Sequence, residues 1–317
     1  MQSLRIAYAG TPEFAVPALE AIMHSHHQLV AVITQPDRKS GRGRKISKSA
    51  VKQSVTSRNV RVIQPENVNS DEDINELSKL NLDLLVVAAY GQIFSQKLLN
   101  LPKMGCLNIH ASLLPKWRGA SPIQHAILAG DRVSGITIMQ MQQAMDAGEI
   151  WLQAECPILD NDNAKSLHDK LAKLGGSIIL EAINLVSQKA TEPKPQDPLL
   201  VSYCSKLKKN DGLIDWSESA QLIWRKVRAF HPWPGAYTRF NGRRLRITKA
   251  YLAEPITSTK SLPGMVFEAS KSGIVVITGK GNLVITELVP EGGKRVSAAD
   301  FANSNQLKNQ KLGETIN

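Results

Sequence analysis

The sequence predicts an α/β protein: a Rossmann-like, mostly parallel sheet followed by a small C-terminal β-barrel of the oligonucleotide-binding type. Three observations carry this. Up to residue 189, apolar strand-like runs alternate with helical patterns, and runs such as residues 84–89 are continuously apolar, as in a sheet covered by helices on both faces. Thr191-Glu192-Pro193-Lys194-Pro195-Gln196-Asp197-Pro198 then places three prolines in eight residues with no apolar period, which reads as a linker. Beyond it come short strands punctuated by glycine. The expected division is a first domain at 1–189, a linker at 190–207 and a second domain at 208–317.

Taken in order, residues 4–9 read as a buried strand ending at Gly10-Thr11-Pro12, and 13–25 as the helix that follows. That turn lacks Gly-x-Gly-x-x-Gly, which argues against a dinucleotide site. His24, His26 and His27 end a surface helix with no carboxylate nearby, so no metal is expected there. After a strand at 29–34 comes Gln35-Pro36-Asp37-Arg38-Lys39-Ser40-Gly41-Arg42-Gly43-Arg44-Lys45, whose glycines and flexible cations predict a mobile loop rather than a strand or helix. A helix at about 71–80 precedes the strand at 84–89. Residues 107–119 open as a strand and break into a loop at Ser112 to Pro115. Ser121 and Pro122 cap and start a short helix that runs to Ala129 and closes at Gly130. Strands at 135–141 and 150–156 flank the turn Ala144-Met145-Asp146-Ala147-Gly148-Glu149, and a helix at 164–189 completes the domain. The second domain begins with a basic amphipathic helix near 220–230. Its strands are expected at 245–249, 264–267, 274–278 and 283–288, and there are no internal repeats.

Composition narrows the class. The 317 residues are 42% hydrophobic and 21% charged, as in a soluble globular protein of two ordinary domains. No apolar run approaches the ~20 residues of a membrane span, and residues 1–9 enter a strand without the pattern of a signal peptide. Cys106, Cys156 and Cys204 are far apart and odd in number, which suggests reduced thiols and a cytoplasmic location. A monomer without membrane contact is expected. The net charge of +11 is unevenly placed: residues 205–317 hold 18 lysines and arginines against 9 acids, and residues 38–65 hold nine basic residues and no acid. A basic loop carrying Arg38, Lys39, Arg42, Arg44, Lys45 and Lys48, and a separate basic module with aromatics such as Trp224, Trp233 and Tyr237, read as two contacts on one polyanion.

The candidate chemistry lies in Leu107-Asn108-Ile109-His110-Ala111-Ser112-Leu113-Leu114-Pro115. In a strand Asn108 and His110 share a face. An amide donor beside an imidazole suits acyl transfer, since one can stabilise an oxyanion and the other can move a proton. Asp146 falls on a loop after a strand, where ligand-binding groups collect in open α/β sheets.

The same residues resemble the methionyl-tRNA formyltransferases of the folate-dependent formyltransferase superfamily, over essentially the whole chain. The resemblance rests on Gly10-Thr11-Pro12, Gln35-Pro36-Asp37-Arg38, Ala89-Tyr90-Gly91, Asn108-Ile109-His110 with Ser112-Leu113-Leu114-Pro115, Trp117-Arg118-Gly119, Asp146-Ala147-Gly148 and Phe230-His231-Pro232-Trp233-Pro234. Glu149, where the family often has aspartate, is a small departure that keeps the charge. The resemblance implies transfer of a formyl group from 10-formyltetrahydrofolate to methionyl-initiator tRNA, without a metal. It assigns Asn108, His110 and Asp146 as the catalytic trio, and Ser112, Leu113, Leu114 and Pro115 as lining for the folate. It sets the loop around Arg42 against the end of the acceptor stem and makes the second domain a tRNA-docking module. Two other readings stay open on the residues alone. A formyltransferase or hydrolase acting on a small molecule would share the trio but leave the basic loop unexplained. A non-catalytic nucleic-acid-binding protein would explain the charge but leave the trio without work.

Overall fold

In the computed structural model, which describes residues 2–40, 45–189, 191–254 and 262–313, the chain forms two compact units. The first takes Met1–Pro122, Val133–Pro157 and His168–Cys204; the second takes Ile123–Arg132, Ile158–Leu167 and Ser205–Asn317. The first half of the chain supplies β1 (Arg5–Gly10), α1 (Val16–Met23), β2 (Gln28–Ile33), β3 (Arg38–Ser40), β4 (Lys45–Ser47), α2 (Ala50–Val55), β5 (Val62–Ile63), α3 (Asp71–Ser78), β6 (Leu84–Ala88), α4 (Gln96–Leu99) and β7 (Cys106–His110). There follow β8 (Arg118–Gly119), α5 (Pro122–Ala129), β9 (Val133–Gln140), β10 (Ile150–Pro157), α6 (Ala164–Gln188) and β11 (Tyr203–Cys204). All but the first residue of α5, and the first turn of α6, group with the second unit.

Seven strands in the order β10-β9-β7-β6-β1-β2-β5 make the main sheet of the first unit. The five from β7 to β5 are parallel, while at one edge β9 runs antiparallel to β7 and β10 antiparallel to β9. Alternation within each strand sorts side chains between two layers. Ala7, Ala9, Ala31, Ile33, Leu85 and Val87 join one apolar cluster with Leu77 of α3 and Leu98 of α4. On α6 two adjacent glycines permit close approach. A Cβ on Gly175 would lie 3.0 Å from Ile109 Cγ2, and one on Gly176 would lie 2.9 Å from the Pro17 backbone. Glycine inside a helix costs about 1 kcal/mol against alanine; here the long helix gains contact with the strand that carries the candidate site.

Two expectations are corrected. The basic segment around residue 40 is not irregular throughout, because β3 and β4 pair antiparallel with Arg38 opposite Ser47 and Lys39 opposite Ile46. Short strands interrupted by glycines carry too little pattern to be read. Nor is 190–207 a free linker. Lys194 exchanges both backbone bonds with Ile150, β11 pairs parallel with β8, and the first unit extends to Cys204. Prolines exclude helix but not an extended strap, so their composition misleads here.

The second unit contains α7 (Ala220–Ala229), β12 (Tyr237–Phe240), β13 (Arg243–Leu252), β14 (Val266–Ser270), β15 (Gly273–Ile277), β16 (Asn282–Pro290), β17 (Val296–Ser297) and α8 (Ala298–Asn305). The expected small barrel is realised as a six-stranded antiparallel sheet of order β12-β13-β16-β15-β14, with β17 on β16. Register shifts near Ile247 and Lys249 give the pair β13–β16 the bulges that bend a sheet. Ile223 and Val227 of α7 and Ala298 and Ala302 of α8 pack with Leu245, Ile247, Ile274, Val276, Leu283 and Ile285 in one core.

Candidate active site

β7 lies where the sheet changes direction, parallel to β6 and antiparallel to β9. Asn108 is half-buried and His110 buried on the same strand face. The loop after β7 is held from inside. Thr137 Oγ1 donates to Ser112 O at 2.7 Å and accepts from Leu114 N at 3.0 Å, and Gln153 Nε2 donates to Leu114 O at 2.9 Å. Ser112 Oγ donates to Lys116 O at 2.6 Å. Ser112 and Leu114 therefore turn their side chains into the protein, while Leu113 and Pro115 are half-buried.

The loop ends in two residues with left-handed backbone, Trp117 at φ +62° and Gly119 at φ +117°. Their carbonyl and amide face the site. His110 Nε2 donates to Trp117 O at 3.0 Å, which fixes the neutral imidazole with its lone pair on Nδ1. Nδ1 faces Asp146 Oδ2 at 3.7 Å. Asp146, itself left-handed at φ +49°, accepts from Gly119 N at 2.8 Å through the same oxygen. Gly119 is required where it stands, since a Cβ there would lie 2.3 Å from Cys204 O. The Cys204 thiol donates to Trp117 O at 3.4 Å, and burial, with the nearby Asp146 charge adding to it, raises its pKa, so it is held as an inert thiol.

The three candidate residues thus converge, from a central strand and a turn 36 positions later. Neutral imidazole can take up a proton only at Nδ1, and the charge so created would form beside a carboxylate. Asn108 makes no side-chain hydrogen bond to a described residue, which leaves its N–H groups for a ligand oxygen. Sequence reasoning missed the Trp117 carbonyl, Thr137, Gln153 and, from the strap, Gln196. Nothing in the composition of these residues marks a role; only register and backbone conformation do.

Of the basic residues singled out, Arg38 is exposed and reaches Glu66 at 3.7 Å, and Lys48 is exposed. Arg42 and Arg44 lie outside the described residues, and of Lys39 and Lys45 only the strand backbone is described. The base of this hairpin is tied by Lys52 Nζ, which donates to Asp37 Oδ2 at 2.7 Å and Gln64 Oε1 at 2.6 Å. Those bonds, with one from Gln64, hold the Asp37 carboxyl below the usual carboxylate range. In the second unit, Trp224 is half-buried against the core beneath Arg228 and Tyr237 is buried beneath Arg244, while Trp233 is exposed. A cavity of about 210 Å³ there is lined by His231, Arg246, Thr248 and Arg295. Burial, then the charges of Arg295 and Arg246, keep His231 below its ordinary pKa. His27, in the first unit, accepts from Leu4 N, a structural bond rather than a ligand position. Among the described residues no helix is long and apolar enough to cross a membrane.

Two sequence profiles match the chain: "Formyl transferase" over residues 4–183 and "Formyl transferase, C-terminal domain" over residues 206–306. The methionyl-tRNA formyltransferase of Hydrogenovibrio crunogenus is 45% identical over 312 residues, covering 98% of this chain and 99% of its own. That of Hahella chejuensis is 45% identical over 313 residues, covering 99% and 98%. Among solved structures, an N-formyltransferase from Helicobacter canadensis in complex with folinic acid and dTDP-3-aminofucose superposes with a TM-score of 0.67. It is 20% identical and covers 89% of this chain and 98% of its own, a likeness of fold.

Proposed function

The chain belongs to the formyl transferase family, and from that premise we propose that it moves the formyl group of 10-formyltetrahydrofolate onto the amino group of methionine carried by initiator tRNA. The observation that carries the reading is the His110 setting: Nε2 held by Trp117 O, Nδ1 facing Asp146, and Asn108 two residues away on the same strand face.

The amine attacks the formyl carbon and must lose a proton as the C–N bond forms. His110 Nδ1 accepts it. Asp146 supports the imidazolium without taking the proton itself. The oxyanion of the tetrahedral intermediate is stabilised by the Asn108 amide and the charged imidazole. As the bond to N10 of the folate breaks, the proton passes to that nitrogen, so the products are the formamide and tetrahydrofolate. The folate lies along the Ser112–Pro115 loop, whose fixed backbone and half-buried Leu113 and Pro115 suit a flat heterocycle.

The tRNA is held electrostatically, by the basic segment with Arg38, Lys39, Arg42, Arg44, Lys45 and Lys48, and by the second unit, whose cations include Arg246 and Arg295 around one cavity. Discrimination of initiator tRNA falls to Arg42, flanked in sequence by two glycines, which meets an acceptor end that opens at low cost. The protein works as a cytoplasmic monomer. The test is turnover of labelled 10-formyltetrahydrofolate with charged initiator tRNA, charged elongator tRNA, free methionine and a sugar nucleotide. Transfer to initiator methionyl-tRNA above all others is expected; preferential transfer to a small molecule would overturn the reading.

A further inference from the structure

We propose that Gln196, in the proline-rich strap, is a positioning residue for formyl transfer: it sets where the Asp146 carboxylate stands beside His110. This rests on the reading of the trio given above. The side-chain amide of Gln196 uses both of its ends. Its Oε1 accepts from Arg118 Nε at 3.0 Å and from an Arg118 terminal nitrogen at 2.7 Å. Its Nε2 donates to Asp146 O at 2.9 Å and Gly148 O at 2.7 Å. Only one orientation of the amide satisfies this set, since the reverse would place N–H against guanidinium N–H and oxygen against two carbonyls.

The two ends of Gln196 grip the two sides of the contact that fixes Asp146. One side is Arg118, next to Gly119, whose N–H holds Asp146 Oδ2 at 2.8 Å. The other is the Asp146 turn itself. That turn has little slack: Asp146 is left-handed at φ +49°, and a Cβ on Gly148 would lie 1.6 Å from Gln140 O. Gln196 is delivered by an extended strap pinned on either side, by the paired backbones of Lys194 and Ile150 and by Ser202, which bonds to Trp117 N, Arg118 N and Pro115 O. All of these groups belong to the first unit. Without Gln196, two carbonyls of the turn lose their side-chain donor and the Arg118 guanidinium loses this tie to the turn.

The test uses the full chain with Gln196→Ala and Gln196→Glu. The glutamate keeps an acceptor for Arg118 but opposes a carboxylate to two carbonyls. Steady-state kinetics across pH and the titration of His110, read by NMR on histidine-labelled protein, are the measurements. Expected is a fall in kcat of about 10- to 100-fold, the scale for a small misplacement of a catalytic group, with KM for the folate within about twofold. A displaced carboxylate supports the imidazolium less, so the pH–rate profile and the His110 titration of the variant should depart from those of the wild-type chain. In Asp146→Asn protein, adding Gln196→Ala should cost little more, since both act through one carboxylate. Unchanged kcat with an unchanged His110 titration overturns the proposal. So does a loss that tracks the folded fraction while the pH–rate profile and the His110 titration stay put, or a fully additive double variant. If Gln196→Ala does not fold, Gln196→Glu decides by the same readings. If the wild-type chain does not formylate methionyl-tRNA, the functional reading fails, and the His110 titration still decides for or against Gln196.

Discussion

The loops around His110 and the hairpin around Arg38 are both irregular in sequence, yet they are built in opposite ways. In the first, Thr137 and Gln153 hold the loop at Ser112 and Leu114, and two left-handed residues that are not glycine are held by hydrogen bonds, Trp117 with His110 and Ser202 and Asp146 with Gly119 and Gln196. In the second, three backbone pairs and the Asp37–Lys52–Gln64 cluster secure the base, and the neighbouring ion pair of Arg38 and Glu66 is open to solvent on both sides. A reaction centre must meet its transition state already in place, because rearrangement would add to the barrier. A surface that recognises a polyanion needs cations within reach of the phosphates more than one fixed geometry. The contrast explains why strain collects at one region and charge at the other.

The largest effects should come from breaking the rigid side. His110→Ala is expected to lower kcat by roughly 10²–10⁴ and Asn108→Ala by about 10²–10³. The double variant should fall well short of the product, since groups that act on one intermediate are not additive. Single-turnover assays check this, and near-normal turnover without His110 would remove the imidazole from the mechanism. Gly148→Ala comes next. Its Cβ would meet the Gln140 carbonyl, so the Asp146 turn must shift, with a loss of kcat on the order of 10-fold or more and a lower melting temperature. An unaltered enzyme would mean the turn has room the structure denies it.

On the cationic side the effects should be selective. Arg42→Leu should reduce turnover of initiator tRNA strongly and Arg42→Lys restore it only in part, because the planar guanidinium grips phosphates and base edges as an ammonium does not. Lys48→Ala should instead leave the preference intact and reduce the salt slope of tRNA binding by about one unit per lost phosphate contact. Equal modest losses at both positions would make the segment a general cationic face. The smallest effect concerns Asp37. Its folded pKa is depressed, so its contribution is present above the unfolded carboxylate value and is lost as pH falls through the folded one. Hydrogen-exchange protection of β3 and β4, taken relative to the intrinsic rate at each pH, should therefore be steady from neutral pH down to about 4 and fall only below it; a change near neutrality would assign the anchor to another group.

Much of the site was legible because its chemistry sits in short motifs. Asn108 and His110 need only the two-residue period of a strand to share a face, and the Asp146 turn follows a readable strand. The helix at 122–129 and the helix at 164–188 were legible for the same local reason, a cap or a long apolar period. What escaped depends on contacts distant in the chain. Thr137 reads as one more strand threonine until its hydroxyl is seen bridging Ser112 and Leu114. Tyr237 reads as a docking aromatic, but β12 buries it. The prolines of the strap announce extended chain and give no hint of what that chain lies against.

The strap also decides where this polypeptide may be divided. The two family profiles leave residues 184–205 between them, a gap that invites a cut at the end of α6. Such a cut would separate the catalytic half from Gln196, from the Ser202 that braces the loop after β7, and from the Cys204 carbonyl that fits against Gly119. Anyone splitting, fusing or transplanting this half should carry the chain on to Cys204, because its last working parts are encoded beyond its last helix.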